Sequence, residues 1–161
     1  MPSPPRSRTD TFHLDAPRAR VFPLFTAQGE REWAPGWDPK ILSGDVERGS
    51  AFETCRNGQT TTWIVVDYCR AAGRASYARL AQGSHIGLVD VVCTDHEDGG
   101  TQVSVSYTLT PLNDAATAGV EDFLEPRKYA GMIEEWRAAT AAALARLTAP
   151  VQITAPVRAP A

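Results

Sequence analysis

Three side chains in the middle of the chain are of types that could do chemistry: Tyr77, Arg79 and His85. An imidazole exchanges a proton near neutral pH, a phenol can donate to a carbonyl, and a guanidinium can act as an electrostatic clamp on developing negative charge. Tyr77 and Arg79 are two residues apart, so they share a face if Arg74 to Leu80 is a strand. His85 opens the following segment. Facing an apolar pocket beside Tyr107, it could polarise a ligand carbonyl; the plainer reading is a solvated residue at a strand end. The catalytic residues are therefore unassigned, with His85, Tyr77 and Arg79 as the candidates.

No catalytic motif narrows this further. The chain has no GxSxG elbow, no phosphate-binding GxxxxGK[ST] and no GxGxxG after a strand. His13 falls on an outward position and His96 at a turn, and no Cys, His, Asp or Glu grouping has zinc-ligand spacing, so no metal and no cofactor are expected. Cys55, Cys69 and Cys93 are odd in number and lack CxxC spacing, which reads as reduced, mostly buried thiols in a cytoplasmic protein.

The elements that must position these side chains follow from periodicity. Thr9 to Leu14 reads as a strand. Asp15 or Ala16 then caps a helix with Pro17 in its first turn, Val21, Phe22, Leu24 and Phe25 on its buried side, and Gly29 at its end. Glu30 to Pro39 holds Trp33 and Trp37 and one short helical turn. A meander follows: Gly44 to Gly49, Ala51 to Arg56, a tight Asn57-Gly58 turn, Thr60 to Tyr68, Arg74 to Leu80, His85 to His96 and Thr101 to Leu109. Pro111 stops the last strand, Asn113 or Asp114 starts the helical region, and Pro126 breaks it, so the main helix begins near Glu125. In that helix Tyr129, Met132, Ile133, Trp136, Thr140, Ala143, Leu144 and Leu147 recur at steps of three and four and fall on one side. The order predicts an α+β domain with its helices on one side of an antiparallel sheet. A long helix held on a curved sheet leaves a pocket between the layers.

The limits on function are broad. With 161 residues the chain has room for one domain, at 9–148, with polar, proline-rich tails at 1–8 and 149–161. An apolar fraction of 43% and a charged fraction of 22% are those of a soluble globular protein. A net charge of -3 and scattered arginines argue against nucleic acid. No apolar run approaches a membrane span, so no membrane insertion is expected. Exposed strand edges leave monomer and homodimer both open.

The same order of elements carries a family resemblance. WAPGWDP after the first helix, TTWIVVDY in a middle strand, and GTQVSVSYTLTPL leading to a tryptophan-bearing helix resemble the SRPBCC superfamily, the START-like, Bet v 1-like helix-grip group. The match runs from about Thr9 to Leu147. The resemblance implies a curved antiparallel sheet of six to seven strands gripping the C-terminal helix around a deep hydrophobic cavity, with two short helices after the first strand. Members of the group are carriers of lipids and hormones, polyketide cyclases and aromatases, and chaperone co-activators, so function does not follow from the fold.

Strand parity selects the side chains that would line such a cavity. With Val103, Val105 and Tyr107 taken as inward, Val89, Val91 and Cys93 turn inward too, and His85 shares their parity near one rim. Tyr77 is the larger apolar body on its strand, so its side is taken as inward. Both faces of Thr60 to Tyr68 are apolar, so parity does not separate Trp63 from Ile64. From the helix, Tyr129, Ile133 and Trp136 point down, with Met132 alongside. Trp33 and Trp37 flank an entrance or plug one end; equally, they staple the loop around Pro35-Gly36. Outer faces read as mostly serine, threonine and charge. The leading expectation is a binding or transport protein for a small hydrophobic or amphipathic molecule (a lipid, polyketide or aromatic metabolite). The alternatives are a cyclase, aromatase or dehydratase working in the same cavity, and a protein-interaction module resembling the chaperone co-activators.

Overall fold

Alternation of apolar and polar side chains builds the strands, and turn glycines separate them. The computed structural model describes residues 4–148. It contains β1 (Arg6–Leu14), α1 (Arg18–Val21), β2 (Lys40–Ser43), β3 (Ala51–Arg56), β4 (Gln59–Cys69), β5 (Arg74–Ala81), β6 (His85–Asp95), β7 (Thr101–Pro111), α2 (Asp114–Phe123) and α3 (Pro126–Thr148). The strands form one antiparallel sheet in the order β1-β7-β6-β5-β4-β3-β2. β7 alternates most strictly: Thr101, Val103, Val105, Tyr107 and Leu109 are all buried, and each intervening residue is half-exposed. The sheet is curved, and α3 lies against its concave side, near β1.

Tyr129 holds that contact. It is 1% exposed, and its hydroxyl donates to the Val105 carbonyl of β7 at 2.7 Å. Ile133, Thr140, Ala143 and Leu144 continue the buried stripe. Leu147, expected on the same stripe, is 54% exposed, because the last turn runs past the sheet's cover. A break precedes α3 at Leu124, as Pro126 requires, and the Glu125 carboxylate accepts from the Lys128 backbone N–H to cap the new helix. At the start of α2, Asn113 Oδ1 accepts from the Ala116 N–H at 3.0 Å. Asn113→Ala is expected to lower stability by ~1 kcal/mol, read as a shift in the urea midpoint without a change in slope.

Several expectations are corrected. β1 begins at Arg6 rather than Thr9, because Arg6, Ser7 and Arg8 pair with Leu109, Thr108 and Tyr107. The tail assigned to 1–8 is shorter accordingly; residues 1–3 and the tail at 149–161 lie outside the described residues. Residues 44–49 are a turn and not a strand: Gly44 and Gly49 take φ of 68° and 92°, and β2 is the preceding Lys40–Ser43. The first helix is cut short. Pro17 itself occupies the N-cap position, α1 lasts four residues, and Phe22–Phe25 tightens into a 3₁₀ turn around Pro23. A second 3₁₀ turn spans Gly29–Glu32. Of the three thiols only Cys93 is buried, with Cys55 exposed and Cys69 between. The outer sheet face is more apolar than its sequence implies: Ile64, Leu80, Ile86 and Leu88 are exposed there, and Leu80 pairs with Ile86. No helix is long and apolar enough to cross a membrane among the described residues.

Candidate functional site

Between the sheet and the helices lies a cavity of about 700 Å³. Its floor is the inner face of the sheet, with Phe52 from β3, Trp63 from β4, Tyr77 and Arg79 from β5, His85 and Val89 from β6, and Tyr107 from β7. Met132, Trp136 and Ala139 of α3 and Phe123 of α2 form the roof. Glu30, Trp33 and Trp37, from the irregular segment after α1, close one end.

The aromatic walls are fixed by hydrogen bonds to backbone. Trp33 Nε1 donates to the Leu24 carbonyl at 2.7 Å, Trp37 Nε1 to that of Ala27 at 2.8 Å, and the Tyr77 hydroxyl to that of Phe25 at 2.8 Å. Phe52 and Trp63 stack at 5.6 Å, Trp37 meets both edge-on, and Trp33 meets Trp136 at 5.0 Å. Held by these backbone hydrogen bonds, the rings offer a flat apolar molecule a surface that needs little reordering.

Polar and charged side chains share the lining with the rings, among them Glu30, Thr54, Thr61, Arg79, His85 and Glu135. The Arg79 guanidinium lies 4.6 Å from the centre of the Trp63 ring and 5.9 Å from that of Tyr107. Arg79 Nε and His85 Nε2 are buried without a hydrogen-bond partner. The other imidazole nitrogen, Nδ1, is 3.0 Å from Ser84 Oγ. Burial, aided by the Arg79 charge, pushes the His85 pKa down to about 4, so the ring is neutral at physiological pH. Glu30 goes the other way: burial lifts its carboxyl to about 8, against a smaller opposing pull from Arg79. Some of the Glu30 side chain is accessible, but it lines the cavity, where desolvation outweighs screening. Burial also raises Tyr107, to about 12, and lowers Arg79.

Solved structures share this architecture from end to end. Ara h 8.0201 superposes with a TM-score of 0.67 at 15% identity, covering 88% of this chain and 99% of that one. Norcoclaurine synthase from Thalictrum flavum, solved with dopamine and hydroxybenzaldehyde, gives 0.66 at 9% identity, covering 91% and 90%. Major latex-like protein 151 from Panax ginseng gives 0.64 at 10% identity, covering 92% and 100%. This is the Bet v 1-like helix-grip fold. No family model and no curated protein matches the sequence, so the likeness rests on fold.

Within the helix-grip frame, eight of the twelve residues expected at the cavity line it: Trp33, Trp37, Trp63, Tyr77, His85, Val89, Tyr107 and Trp136. Arg79 lines it as well. Trp63 faces in and Ile64 out, the choice that apolar residues on both faces had left open. Val91, Val105, Tyr129 and Ile133 do not line it. They pack where helix and sheet are in direct contact, and the Tyr129–Val105 bond marks that closed region. Tyr77 is a poor proton donor to a ligand, because its hydroxyl is already committed to Phe25. Phe52 and Glu30 are among the lining residues that sequence reasoning missed. Phe52 is the one large apolar residue of β3 and could have been found by parity; Glu30, after a glycine in a polar stretch, gives no such signal.

Away from the helix-grip cavity, strand pairing brings His13 beside His96 and Asp98, which share one turn. His13 Nε2 is 3.0 Å from Asp98 Oδ2 and His96 Nδ1 is 3.1 Å from Asp98 Oδ1. These donor atoms lie within 4.8 Å of one another, a grouping that could hold a metal ion and that zinc-ligand spacing in the sequence does not show. Gly100 makes room for them: a Cβ there would sit 2.5 Å from His13 Nε2 and 2.8 Å from Asp98 Oδ1.

Proposed function

We propose that this protein binds a small hydrophobic or amphipathic molecule, such as a lipid, polyketide or aromatic metabolite, in the cavity between α3 and the sheet. The observation that carries the reading is the cavity itself. Its volume of about 700 Å³ falls within the ~300–1,000 Å³ of small-molecule sites, and its walls combine preset aromatic rings with polar and charged groups. An apolar void left empty forfeits the dispersion contacts that a guest would make. Relatives in fold are consistent with such a use: the structure of norcoclaurine synthase holds dopamine and hydroxybenzaldehyde. Native mass spectrometry of the purified protein is expected to show a bound small molecule, released on denaturation and recovered in organic extract. A protein that carries nothing, and takes up no apolar probe when offered one, would overturn the reading.

An enzyme using the same cavity is the second reading, and Glu30 favours it. A carboxyl that keeps its proton near neutral pH can serve as a general acid, here in a site that also holds Arg79 and His85. A cyclase, aromatase or dehydratase would then depend on Glu30. Loss of turnover of a cognate substrate in Glu30→Gln, with binding retained, is the outcome that would select it.

A further inference from the structure

Arg79 is a half-buried cation in the cavity and has no ion-pair partner among the described residues. The rings of Trp63 and Tyr107 compensate it only in part, since a cation over a ring gains far less than one against a carboxylate. Glu30 lies outside ion-pair distance of it, and burial favours the protonated form of that carboxyl. Its Nε–H, moreover, is buried and unbonded, and so is His85 Nε2. A buried polar atom without a partner costs ~1–3 kcal/mol, and two of them in one cavity call for an explanation.

Their placement supplies one. Arg79 of β5 pairs with Gly87 of β6, and Ala81 of β5 pairs with His85. Arg79 and His85 are therefore diagonal neighbours on the inner face, with side chains ~7–8 Å apart at their bases. Gly87 contributes no side chain to the space between them. A Cβ there would lie 2.1 Å from the Thr108 carbonyl oxygen and 2.7 Å from Leu109 Cδ2, so a larger residue is not accommodated. In the tautomer in which Ser84 Oγ donates into Nδ1, the imidazole proton is on Nε2 and both orphaned nitrogens are donors.

We propose that the ligand carries a single carboxylate, held by Arg79 Nε–H and His85 Nε2–H, with a flat apolar body lying against Trp63, Phe52 and Trp136. This deepens the binding reading and rests on it. One negative charge matches the one half-buried cation. A second would meet no enclosed cation, since the other arginine lining the cavity, Arg56, is exposed at the end of β3. A neutral body with no acceptor would leave both donors unpaired.

The test uses the full chain and a matched pair of probes, 2-naphthoate and 2-naphthamide, titrated by calorimetry at pH 7. The acid is expected to bind at least ~10-fold more tightly than the amide, as a charge-assisted bond requires. Arg79→Met should abolish that preference and His85→Phe should reduce it, each read as the ratio of acid to amide affinity in the same variant. Equal affinity of the two probes for the unaltered protein would overturn the carboxylate assignment and leave the binding cavity standing. Binding of neither would overturn both. The comparison on the unaltered protein decides the matter even if Arg79→Met fails to fold.

Discussion

Gly29→Ala is expected to cost ~3 kcal/mol or more and to disorganise one end of the cavity. A Cβ on Gly29 would sit 1.9 Å from the Pro23 carbonyl oxygen, 2.8 Å from Leu24 Cα and 2.9 Å from the Pro23 carbonyl carbon. All three atoms are backbone, so no side chain can swing away. The contact is tight because Thr26 ties the two turns together: its hydroxyl donates to the Pro23 carbonyl and accepts from the Gly29 N–H. Glu30, Trp33 and Trp37 follow directly, so a shift at residue 29 moves three lining residues at once. Urea denaturation measures the loss. Gly119 and Gly131 are internal controls, because each lies in a helix with nothing near an added Cβ. Alanine there should stabilise by ~0.5–1 kcal/mol. A Gly29→Ala protein as stable as these two would show that the close approach is not obligatory.

The second large effect is a dependence of stability on pH that reverses at one residue. Glu30 has a folded pKa of about 8 against an ordinary 4.5, so between those values the folded chain binds the extra proton and stability falls as pH rises. His85 has a folded pKa of about 4 against an ordinary 6.5, so between those values the unfolded chain binds the extra proton and stability rises. From 4.5 to 6.5 the two slopes oppose and nearly cancel. From 6.5 to 8 only Glu30 acts among the shifted groups, and the protein should lose ~2 kcal/mol at 1.36 kcal/mol per unit. Glu30→Gln removes that decline and leaves the rise below pH 6.5 uncovered. Chemical denaturation at half-unit steps of pH distinguishes these curves. If Glu30→Gln and the unaltered protein decline in parallel above pH 6.5, the carboxyl is not the group responsible.

The degree to which structure was legible varies with the kind of signal. β6 and β7 alternate so strictly that Val89, Tyr107 and His85 could be assigned a face from parity alone. β4 could not, since Ile64 is as apolar as Trp63 yet 43% exposed. In α3 the three-and-four spacing marked the buried stripe but could not divide it. Tyr129 and Ile133 meet the sheet directly, while Trp136 two turns on faces open space. That division depends on how far the helix stands off the sheet at each point, which is a tertiary property. The same holds for Glu30, whose desolvation comes from a turn clamped onto Pro23. The His13–His96–Asp98 group is a third case, because ladder pairing of β1 with β7 brings together residues that chain distance separates.

The chain has four tryptophans, and all four line the one cavity: Trp33, Trp37, Trp63 and Trp136. Intrinsic indole emission therefore has no background from elsewhere in the molecule. A guest that displaces water from these rings must change the spectrum's colour or intensity, and one that quenches will dim every emitter at once. The protein thus carries its own optical gauge of occupancy, usable on unlabelled material and in crude ligand mixtures.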